Sequence, residues 1–469
     1  MKLVYDVEEK PPFRKNVIYA FQQLLAIIAA TLLVPTLVNL GTKGATEVVM
    51  SQPAALFGAG VGTLIYVLCT QKKSPIFLGS SFAFINPLIG ACTFGYLGIF
   101  LGAVFAGLVY VVIALIIAKV GTGWVDRLMP PVIIGPTVAL IGLSLCGSAV
   151  SNLQSSASGE YNLIAILCGL CAFFTTIVVS VRGGRSVRMI PFIIGILVGY
   201  VLASIFTLIG YVSGIEYLKI VDYSALVNNF RTLSVSSFFS IPAFTFLGIF
   251  QNGADAMNGI VGVLQVLLLF GPVALVVFAE HIADHENLGS VIRRDLIRNP
   301  GLHRTLMGDG LGTIVGSFFG GCPNTSYGEA IGCVAISGDA SISTIILTSC
   351  MAIVLSFFSP FVAFVNTIPV CVIGGICIAL YGFIAVSGLR MIQTVDLNDN
   401  RNLYVVSAIL VLGIGGLTLD LKYVQITSIA TALIVGILVN LLMHRGKSPE
   451  EEEEEQEKKY EYDKNEKLF

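Results

Sequence analysis

Charge is what this sequence lacks most. Only 12% of its 469 residues are Asp, Glu, Lys or Arg, against 55% that are apolar. A soluble domain carries roughly a quarter charged residues, so about half of the usual charge is missing. The deficit excludes a disordered chain and a basic nucleic-acid-binding surface. Cysteine-dense patterning is absent as well: the ten cysteines all lie in or beside apolar runs, which excludes a secreted disulfide scaffold. Cys168 and Cys171 form a C-x-x-C inside a lipid-length run, where that spacing reads as packing rather than redox or metal chemistry. No G-x-x-x-x-G-K-[ST] loop occurs, and Gly308-Asp309-Gly310-Leu311-Gly312, without a lysine, reads as close helix packing. ATP-driven pumping therefore finds no support. A cleavable leader is not expected either, because MKLVYDVEEKPPFRKN is acidic and broken by proline, so the first spanning helix is expected to serve as its own insertion signal.

What the sequence has instead is apolar runs long enough to cross a bilayer, which takes roughly 20 residues each. Seven lie near 16–36, 52–70, 75–90, 95–119, 131–150, 161–181 and 189–211, and seven more near 265–289, 304–321, 325–338, 341–363, 368–389, 402–419 and 422–444. The stretch 212–264 between the sets is too polar to span. With the N-terminus inside and the spans alternating, 23 of the 27 basic residues fall on the inner side, and only Lys43, Lys219, Arg231 and Lys422 fall outside. That asymmetry predicts fourteen spans with both termini cytoplasmic. The acidic run Glu450–Glu454 and the residues after it read as a solvated, disordered tail over 448–469.

Seven is odd, so the second set enters the membrane from the opposite side to the first. This is the arithmetic of an inverted repeat, which places a substrate site near the midplane between the repeats. The third and tenth spans are both short and interrupted by small residues: Gly79-Ser80-Ser81-Phe82-Ala83-Phe84-Ile85-Asn86-Pro87 and Gly320-Gly321-Cys322-Pro323-Asn324-Thr325-Ser326-Tyr327-Gly328-Glu329. Irregular backbone at membrane depth survives only where it is buried in protein or lines a cavity. Matching interruptions in two halves therefore point to a transporter's binding site.

Carboxylates inside the apolar zone are few. Glu280, Asp284 and Asn287 share one helical face, with His281 and His285 on an adjoining face, and Glu329 follows the tenth-span interruption. His281-x-x-Asp284-His285 differs from the inverted zincin pattern H-x-x-E-H by the shorter aspartate, which opens an intramembrane zinc metalloprotease as a third reading. No third ligand segment accompanies the pair, since His303 sits among arginines, so no metal site is expected. Isolated carboxylates favour a secondary transporter over a channel. A carboxylate held out of water can take up a proton near neutral pH, and it accepts N–H hydrogen bonds from a polar heterocycle. Backbone amides of a broken span supply donors for carbonyl oxygens, and Phe82 or Tyr327 offers a face for a flat ring. A pyrimidine or purine base needs this set, and the chemistry alone does not separate uracil from xanthine.

Gly79 to Phe84, Gly121-Thr122-Gly123-Trp124, Met129-Pro130-Pro131, Ala279-Glu280-His281, Asp295-Leu296, Asn299-Pro300-Gly301-Leu302-His303-Arg304 and Pro323 to Glu329 together resemble the nucleobase–ascorbate transporter family, and within it the bacterial uracil permeases. The resemblance runs from about residue 20 to about 390. It implies an all-α polytopic membrane protein, with fourteen transmembrane segments in two inverted seven-segment repeats and segments 3 and 10 broken by short strands. It implies a core domain over 1–128 and 265–363, with a gate domain over 129–264 and 364–447. It implies that Glu280 and Glu329 accept hydrogen bonds from the base, that the Phe82 and Gly328 amides hold its carbonyl oxygens, and that Ala30 and Tyr327 line the pocket. The activity implied is proton-coupled uracil uptake across the cell membrane, with sodium as the alternative coupling ion, by a chain that is not an enzyme and allows a homodimer.

Two departures bear on mechanism. Four residues after its first glutamate the family often carries a histidine, where this chain has Asp284 with His285 one place on, about 100° around the helix. Proton coupling is therefore expected to involve Glu280 and Asp284, with His285 beside them. After Glu329 the family's Asn-x-Gly is replaced by Ala330-Ile331-Gly332 and its terminal Thr-Arg by Ser337-Gly338, a loss expected to shift substrate choice. Glutamate rather than glutamine at 329 favours uracil over xanthine.

Overall fold

The computed structural model describes residues 3–156, 159–252, 257, 259–420 and 425–443. The predicted acidic tail at 448–469 and Lys422 lie outside them.

Most long helices carry apolar residues around their whole circumference, the pattern of a helix surrounded by lipid and other helices. Among the described residues, eight are long and apolar enough to cross a membrane: Phe13–Gly41, Gln52–Cys69, Gly95–Val120, Pro131–Gln154, Leu163–Arg182, Pro191–Ser213, Gly259–Ile292 and Val370–Ile392. Shorter apolar helices include Ile342–Leu355, Asn400–Ile414 and Ser428–Met443, and the more polar Leu302–Phe318 is similarly short. The chain is thus a mostly helical, multi-pass membrane protein.

The helices pack as two bundles. In the first, Leu302–Phe318 lies against Gln52–Cys69 and Gly95–Val120, the latter also touching Gly259–Ile292, while Ile342–Leu355 bridges Gln52–Cys69 and Phe13–Gly41. In the second, Val370–Ile392 is the hub for Pro131–Ser144, Cys146–Gln154 and Leu163–Arg182, and Asn400–Ile414 packs on Ser428–Met443. A segment near the N-terminus ties onto the first bundle: the Val4 and Tyr5 N–H groups donate to Gly338 O (2.7 and 3.2 Å), and Ile342 N–H donates to Val7 O (3.1 Å). Arg294 braces that segment through Asp6 at 2.8 Å and Glu8 at 3.3 Å. Partial burial pushes the Asp6 carboxyl up, but the Val7 N–H and the Arg294 guanidinium outweigh it and hold the group below its usual range.

Several boundaries differ from the sequence expectation for identifiable reasons. The helix expected from 265 begins at Gly259, because Ile260, Val261 and Leu264 keep its outer face apolar although Gly259 and Gly262 dilute the run. The segment 131–150 is two helices meeting at Leu145 and reaching Gln154. Ser144 and Ser148 flank the joint and donate their hydroxyls to Ile141 O and Leu145 O, competing with the helical ladder. The stretch 212–264 folds into short pieces, Ser224–Phe230 and Thr245–Asn252, before the long helix starts.

Helix contact in the first bundle depends on glycines. A Cβ on Gly58 would meet Gly316 O at 2.5 Å, and one on Gly316 would meet Gly58 O at 2.7 Å. Gly62 and Gly312 stand in the same reciprocal relation, at 3.0 and 2.8 Å from each other's carbonyl oxygens. Gly58-x-x-x-Gly62 therefore lies antiparallel on Gly312-x-x-x-Gly316, the small-residue packing that membrane helices use in place of a hydrophobic driving force. The cluster Gly308–Gly312 packs closely as its sequence suggests, with Gly310 against Gly107 O. Gly312→Val is expected to force these backbones apart at a cost of about 1–3 kcal/mol or more. Thermal unfolding of the detergent-purified protein would show a lowered midpoint, and an unchanged midpoint would contradict the packing described.

Candidate functional site

Both predicted interruptions contain a short strand followed by a helix. Leu78–Ser80 (β1) leads into a 3-10 turn, Phe82–Phe84, and the helix Ile85–Cys92. Asn324–Ser326 (β2) leads into the helix Gly328–Ser337. The strands pair antiparallel, Leu78 with Ser326, Gly79 with Thr325 and Ser80 with Asn324. A two-stranded ladder leaves two outer edges whose backbone groups need partners in a lipid-embedded core. Thr63 serves one edge: its hydroxyl accepts from Leu78 N–H (2.9 Å) and donates within reach of Leu78 O (3.1 Å). Thr313 serves the other by accepting from Asn324 N–H at 3.0 Å. Each threonine directly follows the glycine of the reciprocal pair, Gly62 or Gly312, so one helix crossing closes both edges. Gly79 is required where the strands meet, since a Cβ there would sit 2.3 Å from the Tyr327 ring.

A small cavity of about 40 Å³ opens where the strands give way to their helices. One wall is the first bundle: Phe82, Glu280, Asp284, Thr325, Ser326, Tyr327, Gly328 and Glu329. The opposite wall is the second bundle: Val138, Phe383, Ile384 and Ser387. Glu280 Oε2 accepts from the Thr325 hydroxyl at 3.1 Å, and Asp284 Oδ2 accepts from the Ser326 hydroxyl at 2.6 Å. The strand thus aims both carboxylates of the Gly259–Ile292 helix. The Tyr327 hydroxyl donates to Ser80 O at 3.0 Å, so this ring spans both strands. Phe82 and Gly328 are each the first residue of a helical segment, where backbone N–H groups have no intrahelical acceptor. Among the described residues neither of these two N–H groups donates a hydrogen bond. The cavity accordingly offers carboxylate acceptors, free amide donors and aromatic faces.

The structure brings Glu280, Asp284, Glu329, Phe82, Tyr327 and Gly328 together on one cavity. Ala30 is buried within Phe13–Gly41 and does not line that cavity. His285 faces away from it: its Nδ1 lies 2.6 Å from His281 O and its Nε2 lies 2.7 Å from the Tyr66 hydroxyl, which in turn meets Ser74. His281 Nδ1 lies 2.9 Å from Asp309 Oδ2 and its Nε2 lies 3.0 Å from the Thr305 hydroxyl. Although the two rings stack at 4.0 Å, their nitrogens point to different partners. Among the described residues no three His, Cys, Asp or Glu side chains gather as metal ligands.

Sequence reasoning missed the second bundle's wall, because Phe383, Ile384 and Ser387 sit in a continuous apolar run without any interruption to mark them. It also missed the His281–Asp309 pair, although an aspartate within an apolar glycine cluster was a signal.

A cavity between two interrupted helices of a multi-pass helical membrane protein is the arrangement of a solute transporter. The family model Xan_ur_permease, described as a permease family, matches residues 14–422. The chain belongs to this family, the nucleobase–ascorbate transporters that its motifs resemble. It is 38% identical to the uracil permease of Bacillus caldolyticus, over 94% of this chain and 95% of that one. It is 33% identical to the uracil permease of Escherichia coli (strain K12), over 93% of both. The transmembrane domain of a cyanobacterium bicarbonate transporter, BicA, has the same fold, with a TM-score of 0.55 at 15% identity, covering 93% of this chain and all of that domain. SLC26A9 aligns with a TM-score of 0.58 at 11% identity over 92% of this chain and 66% of its own. The chain is a transporter rather than an enzyme, and the metalloprotease reading falls with that assignment.

Thr63→Val and Thr313→Val test the strand edges, since each keeps the side chain's shape but strands a buried N–H. Each is expected to destabilise the protein by about 1–3 kcal/mol. Thermal unfolding midpoints that match the unsubstituted protein would contradict the role given to these hydroxyls.

Proposed function

We propose that this protein is a proton-coupled symporter that imports uracil across the cell membrane by alternating access. The observation that carries the reading is the cavity itself. Glu280 and Glu329 line it together with the free amides of Phe82 and Gly328, a set of acceptors and donors that matches the N–H groups and carbonyl oxygens of a pyrimidine. Identities of 38% and 33% to uracil permeases over nearly the whole chain support uracil as the base. Glutamate at 329 and a cavity bounded by Phe383 and Ile384 favour it over xanthine, the alternative substrate.

The fourteen-segment inverted repeat belongs to this proposal. Its support is one local equivalence between the halves: Gly62-Thr63 and Gly312-Thr313 touch each other and serve β1 and β2 in turn. The first bundle acts as the core and the second as the gate, moving against each other across the cavity. The distribution of Lys and Arg supports cytoplasmic termini. We assign proton coupling to Glu280 and Asp284, which share a helix face at the cavity. His285 enters indirectly, by ordering the helix that carries them. Sodium is the alternative coupling ion, and a homodimer is the assembly the family allows.

Reconstituted into liposomes with an inward proton gradient, the protein is expected to accumulate labelled uracil. A protonophore abolishes that accumulation, excess unlabelled xanthine leaves it intact, and an imposed sodium gradient does not replace the protons. Glu280→Gln loses a hydrogen bond to a charged acceptor, worth about 1.5–3 kcal/mol, so uracil affinity should fall at least tenfold. Accumulation that survives both the protonophore and the substitution would overturn the mechanism.

A further inference from the structure

The Gly328–Ser337 helix carries Gly328 and Glu329 at its first turn, and its far end is held from both bundles. Gly338 terminates the helix in the left-handed conformation (φ 72°), and Gly338 O accepts from the Val4 and Tyr5 N–H groups on the first-bundle side. On the other side stands Arg185, from the connection between Leu163–Arg182 and Pro191–Ser213 in the second bundle. Arg185 Nε donates to Ile336 O at 3.0 Å and Nη2 donates to Ser337 O at 2.8 Å. The last carbonyls of a helix have no intrahelical donors, and a cation there complements the helix dipole. A guanidinium suits the position because its planar fork reaches two adjacent oxygens at once. Four residues on, Met189 is buried against Cys333, one turn back along the same helix, with Sδ and Sγ 3.9 Å apart. Ala26 completes this small cluster, which is separate from the main core.

We infer that Arg185 is a positioning residue for transport: it grips the C-terminal end of the helix that presents Glu329 and must release it when the two bundles move apart. This rests on the reading that the bundles shift relative to each other during transport. A pair of roughly 3 Å hydrogen bonds between rigid bodies does not survive a displacement of several ångströms, so the contact exists in one conformation and favours it. The grip and the carboxylate lie at opposite ends of one short helix, about 12 Å apart at 1.5 Å per residue. Movement of the second bundle's connection is thereby transmitted to the binding residues without touching the substrate.

Cys333 reports on this contact, because it is covered by Met189 only while the connection sits on the helix. In proteoliposomes, alkylation of Cys333 by N-ethylmaleimide can be followed by peptide mass spectrometry in the full chain. Arg185→Gln is expected to raise that rate about tenfold, and Arg185→Lys, which keeps the charge but not the fork, about two- to threefold. The lysine variant should also recover part of any loss in uracil uptake caused by the glutamine. A Cys333 rate in a folded Arg185→Gln protein equal to that of the unsubstituted chain overturns the inference. Should that variant fail to fold, an unchanged rate in Arg185→Lys does the same. Absence of uracil uptake by the unsubstituted protein would count against the proposed function, while the Cys333 comparison would still decide the role of Arg185.

Discussion

Backbone hydrogen bonding in the buried interior of a membrane protein is the constraint on which this structure depends. Breaking a spanning segment exposes N–H and C=O groups where no water is available. Here two broken segments satisfy each other through three residue pairs of antiparallel strand, and two threonines on neighbouring helices close the outer edges. Those threonines reach the strands only because Gly58, Gly62, Gly312 and Gly316 let their helices touch backbone to backbone. The amides left over, at Phe82 and Gly328, are the ones that open onto the cavity.

The same economy governs charge. Glu280 and Asp284 lie one helical turn apart, and each has a hydroxyl from β2 fixing one carboxylate oxygen. Thr325 and Ser326 alternate along the strand, so both hydroxyls reach the Gly259–Ile292 helix only because the strand ends beside it. Behind the cavity, His281 with Asp309 and His285 with Tyr66 form a second polar layer in which each ring nitrogen has a partner. This layer locks the helix rotation that presents Glu280 and Asp284.

Much of this was legible in the sequence, and the reason is physical. Scarcity of charge in an apolar background made Glu280, Asp284 and Glu329 conspicuous, and Gly and Pro at matching depths marked both interruptions. Six of the expected site residues lie on one cavity. Ala30 does not, and a small apolar residue carries no signal of its own beyond the resemblance. His285 was grouped with the carboxylates through sequence adjacency, but helical rotation turns it toward Tyr66. The second bundle's wall of Val138, Phe383, Ile384 and Ser387 was invisible, because a residue facing a cavity and a residue facing lipid look alike when both are apolar. The reciprocal Gly-x-x-x-Gly pairs were present in the sequence, but their pairing is a tertiary fact.

The most direct test of the account is a structure determined by electron cryo-microscopy in the presence of uracil. The account predicts planar density at the end of the paired strands, within hydrogen-bonding distance of the Glu280 and Glu329 carboxylates and the Phe82 and Gly328 amides. Uracil density elsewhere, such as the apolar groove between Phe13–Gly41 and Pro191–Ser213, with the strand junction empty, would contradict it.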